Sequence, residues 1–82
     1  MRFRHRAIEV EAIQYTGTNK KEVVEFTSGQ ALTSEHTDAI RLRNPEGDMV
    51  ARPGDYIVCD PSGCFHPVHP LVFEESYDLV KE

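Results

Sequence analysis

Three groups of residues in this chain have types and spacings suited to chemistry. The first is Cys59, Cys64, His66 and His69, four side chains within eleven residues. Thiolate sulfur and imidazole nitrogen are the donors a tetrahedral zinc ion prefers. The spacing C-x4-C-x-H-x2-H is unusual, however, because zinc modules separate their ligand pairs by a longer connection. The plainer reading is a hairpin with two buried thiols and two exposed imidazoles. No cofactor is therefore expected, and a small zinc-binding module at Cys59, Cys64, His66 and His69 stands as the weaker alternative. A disulfide across the same turn is disfavoured if the chain works in a reducing compartment. The second group is Arg41, Arg43 and Arg52. Arg41 and Arg43 share a face of a strand, and the returning strand can add Arg52. With Tyr15, Tyr56 or Phe65 alongside, such a face could stack on single-stranded nucleic acid; otherwise it is a solvated sheet face. The third is Asp55, in Pro53-Gly54-Asp55. It reads as an acceptor for the backbone of its own turn before it reads as a catalytic carboxylate. No serine stands with a histidine and an acid in a recognisable pattern, and there is no glycine-rich phosphate loop.

The 82 residues carry a net charge of −5, with 39% hydrophobic and 28% charged positions. That length predicts one domain, residues 1–82, with a thin core. It leaves little room for a deep substrate cleft. The acidic total argues against a dedicated duplex-DNA binder. No apolar run approaches the roughly 18–20 residues that span a membrane, so no membrane partner is expected. The basic start is not followed by an apolar stretch, so a secretory signal is not expected. Two cysteines are few for a small secreted domain, which predicts reduced thiols inside a cell. Arg2, Arg4 and Arg6 gather positive charge at one end, while Glu74, Glu75, Asp78 and Glu82 gather negative charge at the other. Neighbouring terminal strands with opposed charges would account for both. A basic arm for phosphate or an acidic partner is the sharper option.

The elements that must position these groups follow from periodicity. Ile8, Val10 and Ala12 alternate with Glu9 and Glu11, so residues 6–15 read as a strand. Ile13 and Tyr15 then fall on the other parity, which predicts a bulge or a change of face near Ala12. Asn19 (or Thr18) with Glu22 resembles a capping box. It opens a short helix whose Val23, Phe26 and Thr27 face a core and whose Lys20, Lys21, Glu22 and Glu25 face water. Gly29 suits the left-handed position after its last turn. Residues 31–32 fit a short strand. Residues 40–43 and 49–52 form a hairpin around Asn44-Pro45-Glu46-Gly47-Asp48. Pro53, Gly54 and Asp55 make a corner into a strand at 56–59. Asp60-Pro61-Ser62-Gly63 is a turn with its acceptor, proline and glycine in order. Cys64 to His66 returns, and Pro67 and Pro70 blunt that edge. Residues 71–75 turn briefly helical, and 76–80 read as a last strand. The expected fold is α+β: a small, curved, mostly antiparallel sheet, barrel-like or a roll, with one short helix after the first strand.

In that order the residues resemble small, mostly uncharacterised phage and prophage proteins with a Pro-Gly-Asp-Trp/Tyr signature. The resemblance rests on Met1 to Arg4, on Val10-Glu11-Ala12-Ile13-Gln14-Tyr15-Thr16-Gly17 and on Pro53-Gly54-Asp55-Tyr56-Ile57. It continues through Gly63, His66-Pro67 and Phe73-Glu74-Glu75-Ser76-Tyr77, nearly the whole chain. It does not extend to Cys64, His66 and His69 as a ligand set. It implies a phage or prophage protein acting in the cytoplasm of a bacterial host, and it supplies no catalytic residues.

The functional expectation is a non-enzymatic accessory protein of the host-takeover or counter-defence type. It would bind a host or phage protein by strand addition or a hot-spot patch. Arg41, Arg43, Arg52, His66 and His69 are the candidate contacts, and Pro53, Gly54, Asp55, Pro61 and Gly63 are structural turn residues. A nucleic-acid-binding accessory protein using the basic hairpin is the first alternative. An exposed strand edge would also permit a homodimer.

Overall fold

The computed structural model describes residues 2–5 and 8–79, with side chains from Val10 to Tyr77. Among them the chain forms eight strands and two helices. Strands β1 (Arg2–His5), β2 (Ile8–Gln14), β6 (Tyr56–Cys59), β7 (Phe65–Val68) and β8 (Asp78–Leu79) make a five-stranded antiparallel sheet in the order β7-β6-β2-β1-β8. Strands β3 (Ala31–Leu32), β4 (Ile40–Leu42) and β5 (Met49–Ala51) make a three-stranded antiparallel sheet in chain order. Helix α1 (Lys20–Phe26) follows β2, and helix α2 (Pro70–Ser76) follows β7. The fold is α+β as expected, with two sheets instead of one closed barrel, and with the helical turn after Pro70 developed into a second helix. Among the described residues no helix is long and apolar enough to cross a membrane.

The phase slip near Ala12, expected to mark a bulge or a change of face, involves no bulge. The register of β2 against β6 runs unbroken from Glu11↔Cys59 to Gln14↔Tyr56. Both parities are apolar because β2 and β6 lie mid-sheet with both faces covered. On one face Val10, Ala12 and Val58 meet Phe73 of α2. On the other, Ile57 and Phe65 meet Val23 of α1 and Ala31, Ile40, Leu42 and Ala51 of the small sheet. Tyr15 is buried in the same cluster, just beyond the end of β2.

The α2 side is closed by rings. Phe73 stacks on Tyr56 at 3.8 Å and 10° and on Tyr77 at 4.6 Å and 17°. Such pairs contribute about 0.5–1.5 kcal/mol beyond their burial. Pro70 starts α2 where a missing N–H is harmless. Pro67 sits within β7, which is outermost in its sheet and tolerates a residue without a donor. At the opposite edge β1 lies between β2 and β8. The backbone register sets Arg4 opposite Glu9 on one side and Asp78 on the other. Of the terminal residues invoked from sequence, Met1, Arg6, Val80 and Glu82 lie outside the described residues.

Candidate docking face

Of the three groups read from sequence, the Pro53-Gly54-Asp55 corner is architecture. The Asp55 carboxylate accepts the Arg52 N–H at 3.0 Å, and the Asp55 N–H reaches back to the Arg52 carbonyl at 3.0 Å. The corner is also bolted to the end of β2. The Tyr15 N–H donates to the Asp55 carbonyl at 2.8 Å, the Gly54 N–H donates to the Tyr15 carbonyl at 2.6 Å, and Gln14 Nε2 donates to the Gly54 carbonyl at 3.0 Å. Gly17 completes the joint. Its φ is +95°, and a Cβ there would stand 3.3 Å from Cβ of Pro53. The Asp55 carboxylate is thus engaged by the backbone of its own turn.

The Cys/His group does not converge. Cys59 pairs with Phe65 and Val58 pairs with His66. Side chains alternate across a sheet, so Cys59 and His66 point to opposite faces. Cys64 lies in the turn, where its N–H donates to Oδ1 of Asp60 at 3.0 Å. His69 is the N-cap of α2, its Nδ1 accepting the Leu71 N–H at 3.2 Å. Among the described residues no group of three or more His, Cys, Asp or Glu side chains is placed to hold a metal ion. Both thiols are free, and burial, followed by the Asp60 charge, pushes the Cys59 thiol up from its ordinary pKa. Asp60 organises this turn. It accepts from the Ser62 hydroxyl and from the Ser62 and Cys64 amides, and His66 Nδ1 stands 3.9 Å from Oδ2. The hydroxyl bond is the main reason the Asp60 carboxyl sits below the usual range.

Of the arginine group, Arg41 lies in the small sheet, and Arg43 and Arg52 each stand one residue beyond the ends of β4 and β5. Ile40, Leu42 and Ala51 point inward and are fully buried. Arg41 and Val50, alternating with them, therefore point outward and are exposed, and Arg43 and Arg52 just beyond the strand ends are exposed too. Leu32, Arg41 and Val50 stand in one cross-strand row. Leu32 is 45% exposed and Val50 is 47% exposed. The Arg41 side chain is 62% exposed and meets Asp48 at 4.0 Å, the outer limit of an ion pair. Beside this row lies a hollow of about 220 Å³, floored by Leu32, Arg41 and Val50 and walled by Thr33, Ser34, Thr37 and Ala39.

That wall is built, although it belongs to a loop. Lys20, half-buried, donates from Nζ to the Ser34 carbonyl at 2.7 Å and to the Thr37 carbonyl at 2.8 Å. The buried Tyr15 hydroxyl donates to the Asp38 carbonyl at 2.6 Å. Burial, with the Asp38 charge adding, raises the Tyr15 pKa, so the hydroxyl keeps its proton for this bond. Lys20 thus departs from its expected place in water. Asn19 departs from its expected role too. It makes no side-chain bond to the helix's free amides, but accepts the Thr16 N–H at 2.8 Å and donates to the Gln14 carbonyl at 2.9 Å and to Glu22 at 2.7 Å.

The aromatic platform imagined beside the arginines is elsewhere. Tyr15 and Phe65 are buried between the sheets, Tyr56 stacks under α2, and none of the residues lining the hollow is aromatic. His66 and His69 belong to β7 and the cap of α2, and neither lines the hollow. Leu32, Val50 and Lys20 were not among the contacts read from sequence. The alternation around Ala51 would have placed Val50 outside with Arg52. Nothing local marks Lys20, whose partners lie fourteen and seventeen residues away. No family model, curated protein or solved structure matches the chain.

Proposed function

We propose that this chain is a non-enzymatic accessory protein of phage or prophage origin, acting in the cytoplasm of a bacterial host by docking on a host or phage protein. The outer face of the small sheet is the docking surface, and occlusion of the partner is the mechanism. One observation carries the reading: Leu32, Arg41 and Val50 stand exposed in a single row over a hollow whose wall is tied down from two directions. Arginine is enriched at interface centres, and the exposed aliphatic side chains beside it add apolar area to bury. Covering the half of Leu32 and of Val50 still in water would contribute about 1 kcal/mol each. A held wall costs little further ordering on binding. The order of motifs along the chain supports the phage origin, and the interlocked Pro-Gly-Asp corner gives those motifs a structural purpose instead of a catalytic one.

The reading is tested by quantitative affinity purification from host cells with and without phage induction. Wild type is compared with Val50→Asp, Arg41→Gln and the far-side control Glu75→Lys. A specific partner retained by the control and lost from the two face variants is the expected result. Partners retained equally by all four proteins would place the interface elsewhere.

A further inference from the structure

Three arginines stand exposed on or beside the small sheet of an acidic chain. The whole sequence has a net charge of −5. Arg41, Arg43 and Arg52 are all exposed, and among the described residues no ion pair holds Arg43 or Arg52. Arg41 meets one carboxylate, Asp48, at 4.0 Å, and most of its side chain is still in water. None of the residues lining the hollow beside Arg41 is aromatic, so the stacking surface that single-stranded nucleic acid needs is not offered there. Arg41 lies in β4 and Arg43 directly follows its last residue, so the two are alternate residues along the chain, about 7 Å apart where it stays extended. An extended polypeptide repeats that same interval between its own alternate side chains.

We infer that this face recognises an acidic, extended segment of a partner protein, with one aliphatic side chain entering the hollow beside Leu32 and Val50 and carboxylates at alternate positions meeting Arg41, Arg43 and Arg52. The inference rests on the docking reading above and deepens it. Arg binds carboxylates through a planar fork, which fixes register as well as strengthening the contact. The acidic remainder of the chain repels an acidic partner elsewhere, so the charge pattern also orients the encounter.

The test is a random-peptide display selection on the whole protein at low salt. It is run in parallel on Val50→Asp and on Arg41→Gln/Arg43→Gln, with circular dichroism confirming that each variant is folded. The strongest peptides are then titrated as labelled probes beside a labelled 20-mer of oligo(dT). Enriched peptides with acids flanking an aliphatic residue are expected. Their binding should fall at least tenfold in either variant and at least tenfold between about 50 and 500 mM salt. Peptides that depend on Val50 but are neutral or basic would leave the docking reading standing and overturn the acidic partner. A selection without any peptide sensitive to Val50 or the arginines would overturn the docking reading itself. Oligo(dT) binding that disappears in the arginine variant would overturn both in favour of a nucleic-acid surface.

Discussion

Lys20→Met deletes the ammonium and keeps most of the stem, so it isolates what holds the wall of the hollow. Two carbonyl oxygens, those of Ser34 and Thr37, lose donors at 2.7 and 2.8 Å. Hydrogen bonds to a charged group contribute about 1.5–3 kcal/mol when shielded from water. These are exposed, and solvent competition reduces each to about 1 kcal/mol. Losing both should favour opening of residues 33–38 by about 2 kcal/mol, which is roughly thirtyfold in the opening equilibrium. The Tyr15 hydroxyl still holds the Asp38 carbonyl at 2.6 Å, so the far end of the loop keeps one anchor. Native-state amide exchange reads this directly. The His36 N–H bonds to Ser34 Oγ and the Ala39 N–H to Thr37 Oγ1, each at 3.1 Å. Those two amides should exchange about thirty times faster in the variant, while Ile57 and Val58 in the centre of the large sheet keep their rates. Rates at His36 and Ala39 within threefold of wild type would refute the reasoning. Equal acceleration at Ile57 and Val58 would refute it too, because Lys20 would then be supporting the whole fold.

Three further outcomes are expected. Gly17→Ala should lower stability by about 2–4 kcal/mol, since it adds contact with Pro53 to the strain of a left-handed residue. Gly29→Ala, at φ +85° with nothing within 4 Å, should lower it by only about 1–2 kcal/mol, and urea midpoints compare the two. The Asp60 carboxyl titrates below its ordinary value in the folded chain, so its stabilising contribution is complete above about pH 4 and is lost as pH falls through that lowered value. Asp60→Asn should therefore flatten the acid limb of the stability–pH curve by up to about one proton, measured by chemical denaturation at stepped pH. Cys59, with its thiol pKa raised by burial, should be alkylated at pH 7.5 several times more slowly than free cysteine, scored by mass spectrometry of the peptide containing Cys59.

The parts of the fold legible in the sequence are those governed by neighbours along the chain. Alternation placed β4, and the turns on either side placed β5 and β6. The sequence Asp60-Pro61-Ser62-Gly63 forms its turn as read, with Gly63 at φ +89° and its N–H on the Asp60 carbonyl at 2.9 Å. Gly29 sits in the left-handed region after α1, at φ +85°. What was not legible depends on layers. The parity change at Ile13 read as a bulge or a change of face because one strand read alone cannot show that both its faces are covered. The zinc alternative drew four side chains together by their proximity in sequence. The β6–β7 register then sends Cys59 and His66 to opposite faces. The outward side of Arg41 was legible, because alternation in β4 alone sets it. Val50 was legible by the same rule, but Leu32 was not, because a two-residue strand shows no period.

These contacts also connect the most conspicuous sequence motif to the proposed surface. Tyr15 is the hinge of that connection. Its backbone holds the Gly54–Asp55 corner on both its donor and acceptor sides, and its hydroxyl holds the loop that walls the hollow. The corner fixes the exit of β5 through the Arg52 N–H bond to Asp55, and so positions one of the three exposed arginines. Lys20 ties the same loop from the first turn of α1, which the Asn19 side chain anchors to the end of β2. One residue run, 14–20, therefore sets corner, wall and helix together. A chain of this size has little core to spare, and sharing these anchors lets a seven-residue loop remain ordered without burying apolar side chains of its own. The motif and the docking face are then two ends of one structural unit. Substitutions at the corner should act on binding through the position of Arg52 and the wall, not through any contact with the partner.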